Sequence, residues 1–555
     1  MPAGIALDRV ASLARQTQDL LASLASDSGP GFAVGVYSAG ELVAAATAGC
    51  AIPEHGVPIT EHTVFDIASA SKHITAACLL LLASDGKIDL DADIRGWLPE
   101  LALRHPVTPR QCLTHTGGLR DYLALCDVAG VPVAGIDEAR AMNLIAGQRD
   151  LDFPLGSAFS YSNTGYVLAA ALVRRITGTS LARFAGERVF GPLGMTATGF
   201  RDDVGVLVRR LAGGYLAVPA GARPTGFRRA DVTENVVGDG GCVTSVADLA
   251  GWHAFMASGA VLGKQIRDGL LAGQVLTDGT AAGYALGLAA VEVGGEAAWW
   301  HSGSWAGYRS AELYLPASGA GLTVLANRND RYASHIAAAV ATAVVTGADV
   351  RTCYETAAGA GMPGEQAIRA AAEVAGLWRA PALDLFVEFQ ARDGRIVAPE
   401  QDGEQVYCLG TDGRWHGAGT ASGGTFTARG GGLAAGWGLS AGLQDRYIRA
   451  DAGSQRPSVP GVPCGFFVNE ELRAYAGIRA GDSRAEITIG FAAARALVPA
   501  GPGVWRATTG GALTVRLADD GAGLLISVPG AHHLRFRPTA EPGDLALPRG
   551  LSMAR

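Results

Sequence analysis

Charge is scarce in this chain. Asp, Glu, Lys and Arg make up 17% of its 555 residues, and the net charge is −7. There is no run of basic residues, so nucleic acid and anionic membrane are excluded as main partners. Aromatic residues are also few, at 7%. No apolar run is long enough to span a bilayer; the longest strongly apolar stretch, Ala76 to Ala83, is far too short. The N-terminal stretch has no basic region followed by an unbroken apolar core, so it does not read as a secretory signal. It reads instead as an amphipathic helix, with Ile5, Leu7, Val10, Leu13, Leu20 and Leu21 near helical spacing. The eight cysteines include no Cys-x-x-Cys pair. They read as free thiols in a reducing compartment, hence a cytoplasmic location. No histidines stand at metal-ligand spacing, and His532-His533 is a lone pair, so no metal and no cofactor are expected.

What is abundant is apolar residues, at 48%, and glycine, with 77 residues. Large cores and tight turns follow, and extensive disorder does not. Residues 1–350 read as one mixed α/β domain. Gly31 to Tyr37 and Leu42 to Ala48 form a strand pair around Ser38-Ala39-Gly40-Glu41. Helical patterns follow Ser69, run from Tyr166 to Ile176, and close the domain from Ser334 to Thr346, after a buried strand at Gly321 to Asn327. Residues 351–366 read as a Gly/Ala-rich linker. Short strands and turns then fill 367–456 and 457–555, with a Pro-rich joint at Arg456 to Pro460. These suit two small antiparallel β domains, barrels or sandwiches.

The chemistry starts at Ser69-Ala70-Ser71-Lys72. Residues three apart share a helical face, so the hydroxyl and the amine can meet. A serine needs a base to become a nucleophile, and a desolvated lysine can serve. Tyr161-Ser162-Asn163 follows a Pro-x-Gly turn. Its phenol, near a cationic lysine, can drop in pKa and accept a proton, while Asn163 can orient Lys72 or hold a substrate carbonyl. His301-Ser302-Gly303 reads as an edge strand facing the site. His301 assists proton transfer, and Gly303 lets a substrate backbone approach. The backbone N–H groups of Ser69 and Ser304 form an oxyanion hole. His115 reads as a structural histidine under the site, Asp239 as a turn residue, and Arg309 as a surface charge or a clamp for a substrate carboxylate.

The set Ser69-x-x-Lys72, Tyr161-x-Asn163 and His301-x-Gly303 resembles the penicillin-recognising serine hydrolases. That superfamily includes class C β-lactamases, D,D-peptidases, family VIII esterases and D-stereospecific aminopeptidases. Leu113 to Leu119, Pro192 to Met195 and Gly240-Gly241 extend the likeness. A histidine at the head of the third motif favours peptidase- or esterase-like members. Gly118 to Tyr122, Gly238 to Gly241 and Ala306 to Arg309 look like the D-aminopeptidase branch.

The resemblance implies a serine β-lactamase/D,D-peptidase-like α/β (α+β) domain followed by two eight-stranded antiparallel β-barrels. A loop of the last barrel, near Gly490 to Gly503, would reach the site. It implies an acyl-enzyme mechanism using Ser69, Lys72, Tyr161 and His301. Asn163, Gly303, Ser304 and Arg309 would serve oxyanion and substrate binding. The substrate would be a small molecule or short peptide that loses an N-terminal D-residue. The same site could serve an esterase or D,D-carboxypeptidase, and a non-catalytic peptide binder is the reading from another class. Phe491 to Leu497 supply an arginine and no acid for a substrate amine. A homodimer is left open.

Overall fold

The computed structural model describes residues 7–218, 226–357, 365–380, 385–400, 403–409, 415–418, 425–429, 432–436, 445–449, 464–480, 485–489, 494–501, 503–507, 512–519 and 523–539. Its centre is a six-stranded antiparallel sheet. The strands run in the order Ala289–Val293, Glu296–Trp305, Tyr308–Leu315, Ala320–Ala326, Phe32–Ser38 and Glu41–Ala48. The first chain segment thus pairs with the last strand of the domain, Phe32 standing opposite Ala326.

Alternation divides the side chains between two cores. Phe32, Val34, Ala311 and Leu313 face the helices Leu7–Leu24 and Ala333–Thr346, meeting Val10, Leu13, Leu20, Leu21, Ile336 and Val340. The other face packs on the helical layer built from Lys72–Ser84, Thr164–Thr177 and Leu249–Ser258. The amphipathic N-terminal helix is therefore present from Leu7, while Ile5 lies outside the described residues. The helix read from Tyr166 to Ile176 starts two residues earlier and ends at Thr177, where Gly178 at φ 72° caps it.

Of the expected linker 351–366, the Gly/Ala-rich residues 358–364 lie outside the described residues, and the two flanks are helical. Val350–Ala357 is a helix packed on the domain's own helices, with Val350 and Cys353 in the core. Glu365–Val374 is a second helix, and its Ala367, Ala371 and Val374 pack with Trp378 and Phe389 of the next unit.

Two closed antiparallel barrels of eight strands follow, each with its strands in chain order. In the first, Gly376–Ala380 pairs with both Leu385–Arg392 and Asp445–Arg449. In the second, Gly465–Asn469 pairs with both Ala474–Ala480 and Ala531–Thr539. The second barrel docks on the first domain. Leu125 and Val128 of the helix Tyr122–Ala129 join its apolar core beside Leu472, Ile487 and Leu513. Seven cysteines among the described residues are free, six of them buried. No helix among the described residues is long and apolar enough to cross a membrane.

Leu125 is fully buried, yet its neighbours belong to a unit more than 300 residues downstream. Leu125→Ala removes that anchor and is expected to cost about 2–5 kcal/mol. Urea unfolding checks it; an unchanged midpoint would show that the docking contributes nothing.

Candidate active site

Ser69 sits in a 3₁₀ turn, Ala68–Ser71, that leads directly into the helix Lys72–Ser84. The turn is held from every side. The Ala68 N–H donates to Asp66 Oδ1 at 2.8 Å, Ser71 Oγ donates to the Ala68 carbonyl at 2.5 Å, and the Cys242 N–H donates to Ser71 Oγ at 3.1 Å. Ala68 has φ 48°, a left-handed conformation that a non-glycine residue keeps only when its surroundings enforce it. The backbone just before the serine is therefore strained and fixed.

Lys72 is completely buried. Its ammonium has three donors and three acceptors: Ser69 Oγ at 3.1 Å, Asn163 Oδ1 at 2.9 Å and the Asp239 carbonyl at 2.6 Å. The rings of Tyr161 and Tyr166 lie 4.9 and 5.3 Å from Nζ. Burial pulls the lysine down to about 8, against the negative charge of Asp239 and Asp121. Asp239 reaches Lys72 because the loop around it crosses two helices. Thr75 Oγ1 donates to the Gly238 carbonyl at 2.8 Å, and a Cβ on Gly238 (φ 109°) would stand 2.4 Å from the Tyr166 carbonyl.

Tyr161 shares a hydrogen bond with Ser69. Its ring lies tilted against that of His115, with centroids 4.4 Å apart, and His115 Nδ1 accepts the Ser162 N–H at 3.1 Å. His115 is thus part of the floor beneath the tyrosine. The expected lowering of the phenol is overturned. Burial, first among its influences, pushes Tyr161 well above the usual tyrosine range, so the phenol keeps its proton. Lys72 is left as the group able to accept one.

His301 lies on the same strand face as Gly303, toward the site, but both of its nitrogens are engaged elsewhere. Nδ1 lies 2.6 Å from the Ser302 carbonyl and Nε2 2.9 Å from the Tyr284 hydroxyl. A carbonyl only accepts, so Nδ1 donates to Ser302, while Nε2 faces the Tyr284 hydroxyl. Burial holds the ring down to about 3, hence neutral. Its ring centre is 6.2 Å from that of Tyr161. His301 is thus a neutral ring held against Tyr284.

The strand Glu296–Trp305 is paired on its outer side only as far as Trp300, so among the described residues His301–Trp305 forms a free edge. Ser304 stands on that edge, and the strand packs on the Ser69 turn. Gly303 is a correction. Its bare Cα faces the turn rather than a substrate, and a Cβ there would lie 2.0 Å from the Ile67 carbonyl and 2.4 Å from Ser310 Oγ. Arg309 is another. Ser310 Oγ donates to the Ile67 carbonyl at 2.7 Å, so neighbouring Arg309 points to the opposite face of the sheet. There it is buried, with Nη1 donating to the Tyr308 carbonyl at 2.6 Å. It cannot clamp a substrate at Ser69.

Asp121 is the residue the motifs did not single out. Its Oδ2 accepts the Asn163 N–H at 2.5 Å and its Oδ1 accepts the Leu123 N–H at 2.9 Å, capping the helix Tyr122–Ala129. Asp-Tyr ahead of an apolar run is a cap signature in the sequence, but the link to Asn163 is tertiary. Of the segment expected to reach the site, residues 490–493 and 502 lie outside the described residues, and Arg495–Gly501 is a barrel strand. The contact made beside the site comes from another turn, between Leu524–Val528 and Ala531–Thr539. There the Gly530 carbonyl accepts the Asp121 N–H at 2.5 Å.

The Beta-lactamase family model matches residues 12–346. The chain belongs to the beta-lactamase family. The D-aminopeptidase of Gluconobacter oxydans (strain 621H) is 30% identical over 330 residues, 59% of this chain and 60% of that protein. The D-aminopeptidase of Cereibacter sphaeroides (strain KD131 / KCTC 12085) is 28% identical over 490 residues, 87% of this chain and 88% of that one. Against the first relatives, the match spans between 53% and 60% of their length. The octameric penicillin-binding protein homologue from Pyrococcus abyssi shares the fold, with TM-score 0.53 at 21% identity over 80% of this chain and 99% of that one.

Gly303→Ala is expected to lower activity about 100-fold or more, because the added Cβ must push the free edge off the Ser69 turn. Assay of the folded variant checks it; activity near the parent value would show that the edge needs no such approach.

Proposed function

We propose that the chain is a serine hydrolase that works through an acyl-enzyme and releases N-terminal D-amino acids from small peptides or amides. The observation that carries the chemistry is the fully buried Lys72 ammonium, 3.1 Å from Ser69 Oγ and pulled down to about 8. At pH 7 about a tenth of the enzyme holds this amine neutral, ready to take the serine proton. The names of the D-aminopeptidase relatives support the substrate class.

In the proposed reaction Lys72 removes the proton as Ser69 Oγ attacks the carbonyl carbon. The N–H groups of Ser69 and Ser304 hold the developing oxyanion. Tyr161, protonated and hydrogen-bonded to Ser69, gives its proton to the leaving amine, and the Lys72 ammonium restores it. Asn163 holds Lys72 in place. Water then attacks the acyl-enzyme, losing a proton to Lys72, which passes it to Ser69 Oγ as the serine leaves and the acid product is released. The free edge at His301–Trp305 offers backbone groups to which an extended substrate can pair.

Ser69→Ala should abolish turnover while leaving the thermal midpoint near that of the parent. Retention of most activity on every substrate tried would sink the mechanism. Because the neutral amine is the active form, kcat/KM should rise with pH and level off above about 8. A profile flat from pH 6 to 9 would remove Lys72 from the role of base. D- and L-aminoacyl p-nitroanilides, N-blocked versions and short-chain esters, assayed side by side, test the substrate class. Preference for esters or for blocked amines would overturn the aminopeptidase reading alone.

A further inference from the structure

We infer that Asp121 is a positioning residue for the Lys72–Asn163 pair, and that the Val528–Ala531 turn of the second barrel holds it in place, making that barrel a working part of the active site. The inference rests on the serine-hydrolase reading and extends it to a unit outside the catalytic domain.

Residues 120 and 121 are clamped between two bodies. On the catalytic side, Asn163 donates its N–H to Asp121 Oδ2 at 2.5 Å, and Thr164 Oγ1 donates to the Arg120 carbonyl at 2.6 Å. These two bonds fix the start of the helix Thr164–Thr177, the point from which the Asn163 amide reaches Lys72. On the barrel side, the Asp121 N–H donates to the Gly530 carbonyl at 2.5 Å. Arg120 Nε donates to the His532 carbonyl at 3.2 Å and to Asp152 Oδ1 at 3.2 Å, and the His532 N–H donates to the same Asp152 oxygen at 2.8 Å. Arg120 Nη1 also lies 3.5 Å from Glu471 of the barrel. Arg120, Asp152 and His532 are all buried. Gly530 has φ 82°, and a Cβ there would come within 3.0 Å of Asp121 Cβ and 3.4 Å of Ala124 Cβ. The barrel turn is thus seated directly on Asp121.

The path is short: Gly530 to Asp121, Asp121 to Asn163, Asn163 to Lys72, each step one hydrogen bond. It has an electrostatic counterpart. The titratable and charged groups around Lys72 are Asp239, Asp121, Tyr161, Tyr166, His115 and His301. Around Asp121 they are Lys72, Asp239, Asp152, Tyr122, Tyr161 and Cys126. The carboxylate of Asp121 favours the charged form of Lys72, so it sets where the base titrates as well as where it stands.

The test is kinetic. Asp121→Asn keeps the shape but turns an amide NH₂ toward one of two N–H donors, so one bond must break. The expected result is a fall in kcat of about 10–100-fold, together with a shift of the rising limb of kcat/KM to lower pH, since the charge holding Lys72 up is gone. A purely structural aspartate would not move that limb. Gly530→Ala changes no atom of the catalytic domain and gives a second measurement: kcat should fall about tenfold with KM within twofold. Parent kcat in Gly530→Ala, or a folded Asp121→Asn with an unmoved limb, overturns the inference. Ser69→Ala separates the two readings, because its inactivity beside such parent-like variants would leave the hydrolase intact and remove only the barrel's part in it.

Discussion

The structure depends on taking one ammonium group out of water. A buried lysine is costly unless every one of its protons finds an acceptor. Lys72 meets that demand with three oxygens from three distant parts of the chain: its own turn, the start of the helix at Thr164, and the loop at Asp239. Much of the surrounding architecture can be understood as the means of holding those oxygens still. The positive φ of Ala68, the glycine at 238 pressed on the Tyr166 carbonyl, and the cap at Asp121 each fix one of them.

The same requirement divides labour among the titratable groups. Burial lowers Lys72 and His301 and raises Tyr161, so the amine is poised near neutrality while phenol and imidazole stay neutral. Three groups that a motif makes look interchangeable thus differ: an amine pulled down to about 8, a phenol that keeps its proton and an imidazole held against Tyr284. His301 touches Tyr284, which in turn shares a hydrogen bond with Tyr166, whose hydroxyl donates to the Leu113 carbonyl at 2.7 Å. A polar seam runs behind the site, and its members are fixed by one another.

Features set by local pattern could be read from the sequence. The Ser69 turn and its helix, the helix ending at Gly178, and the strand pair Phe32–Ser38 and Glu41–Ala48 follow directly from spacing, caps and turn residues. Features set by side-chain direction could not. Arg309 looked available because it follows a site motif by six residues, yet strand parity turns it to the far face. Gly303 announced a close approach correctly but not the partner, which is the Ile67 carbonyl. Asp121 has an unremarkable cap signature, and only tertiary contact gives it Asn163 on one side and Gly530 on the other. The helix Val350–Ala357 is short, and its stability comes from packing rather than from length or propensity.

The clamp on Arg120 and Asp121 joins residues that are 412 positions apart in the case of Arg120 and His532. During synthesis at about 5–20 residues per second, the barrel turn leaves the ribosome roughly 20–80 s after the arginine it must meet. For that interval the first domain can collapse around its sheet while Asp121 still lacks its outer partner. Each chain therefore has an age as well as a sequence: a period in which the Ser69 turn has been synthesised and the barrel turn that meets Asp121 has not. The length of that period is set by the amount of polypeptide between the two contacts.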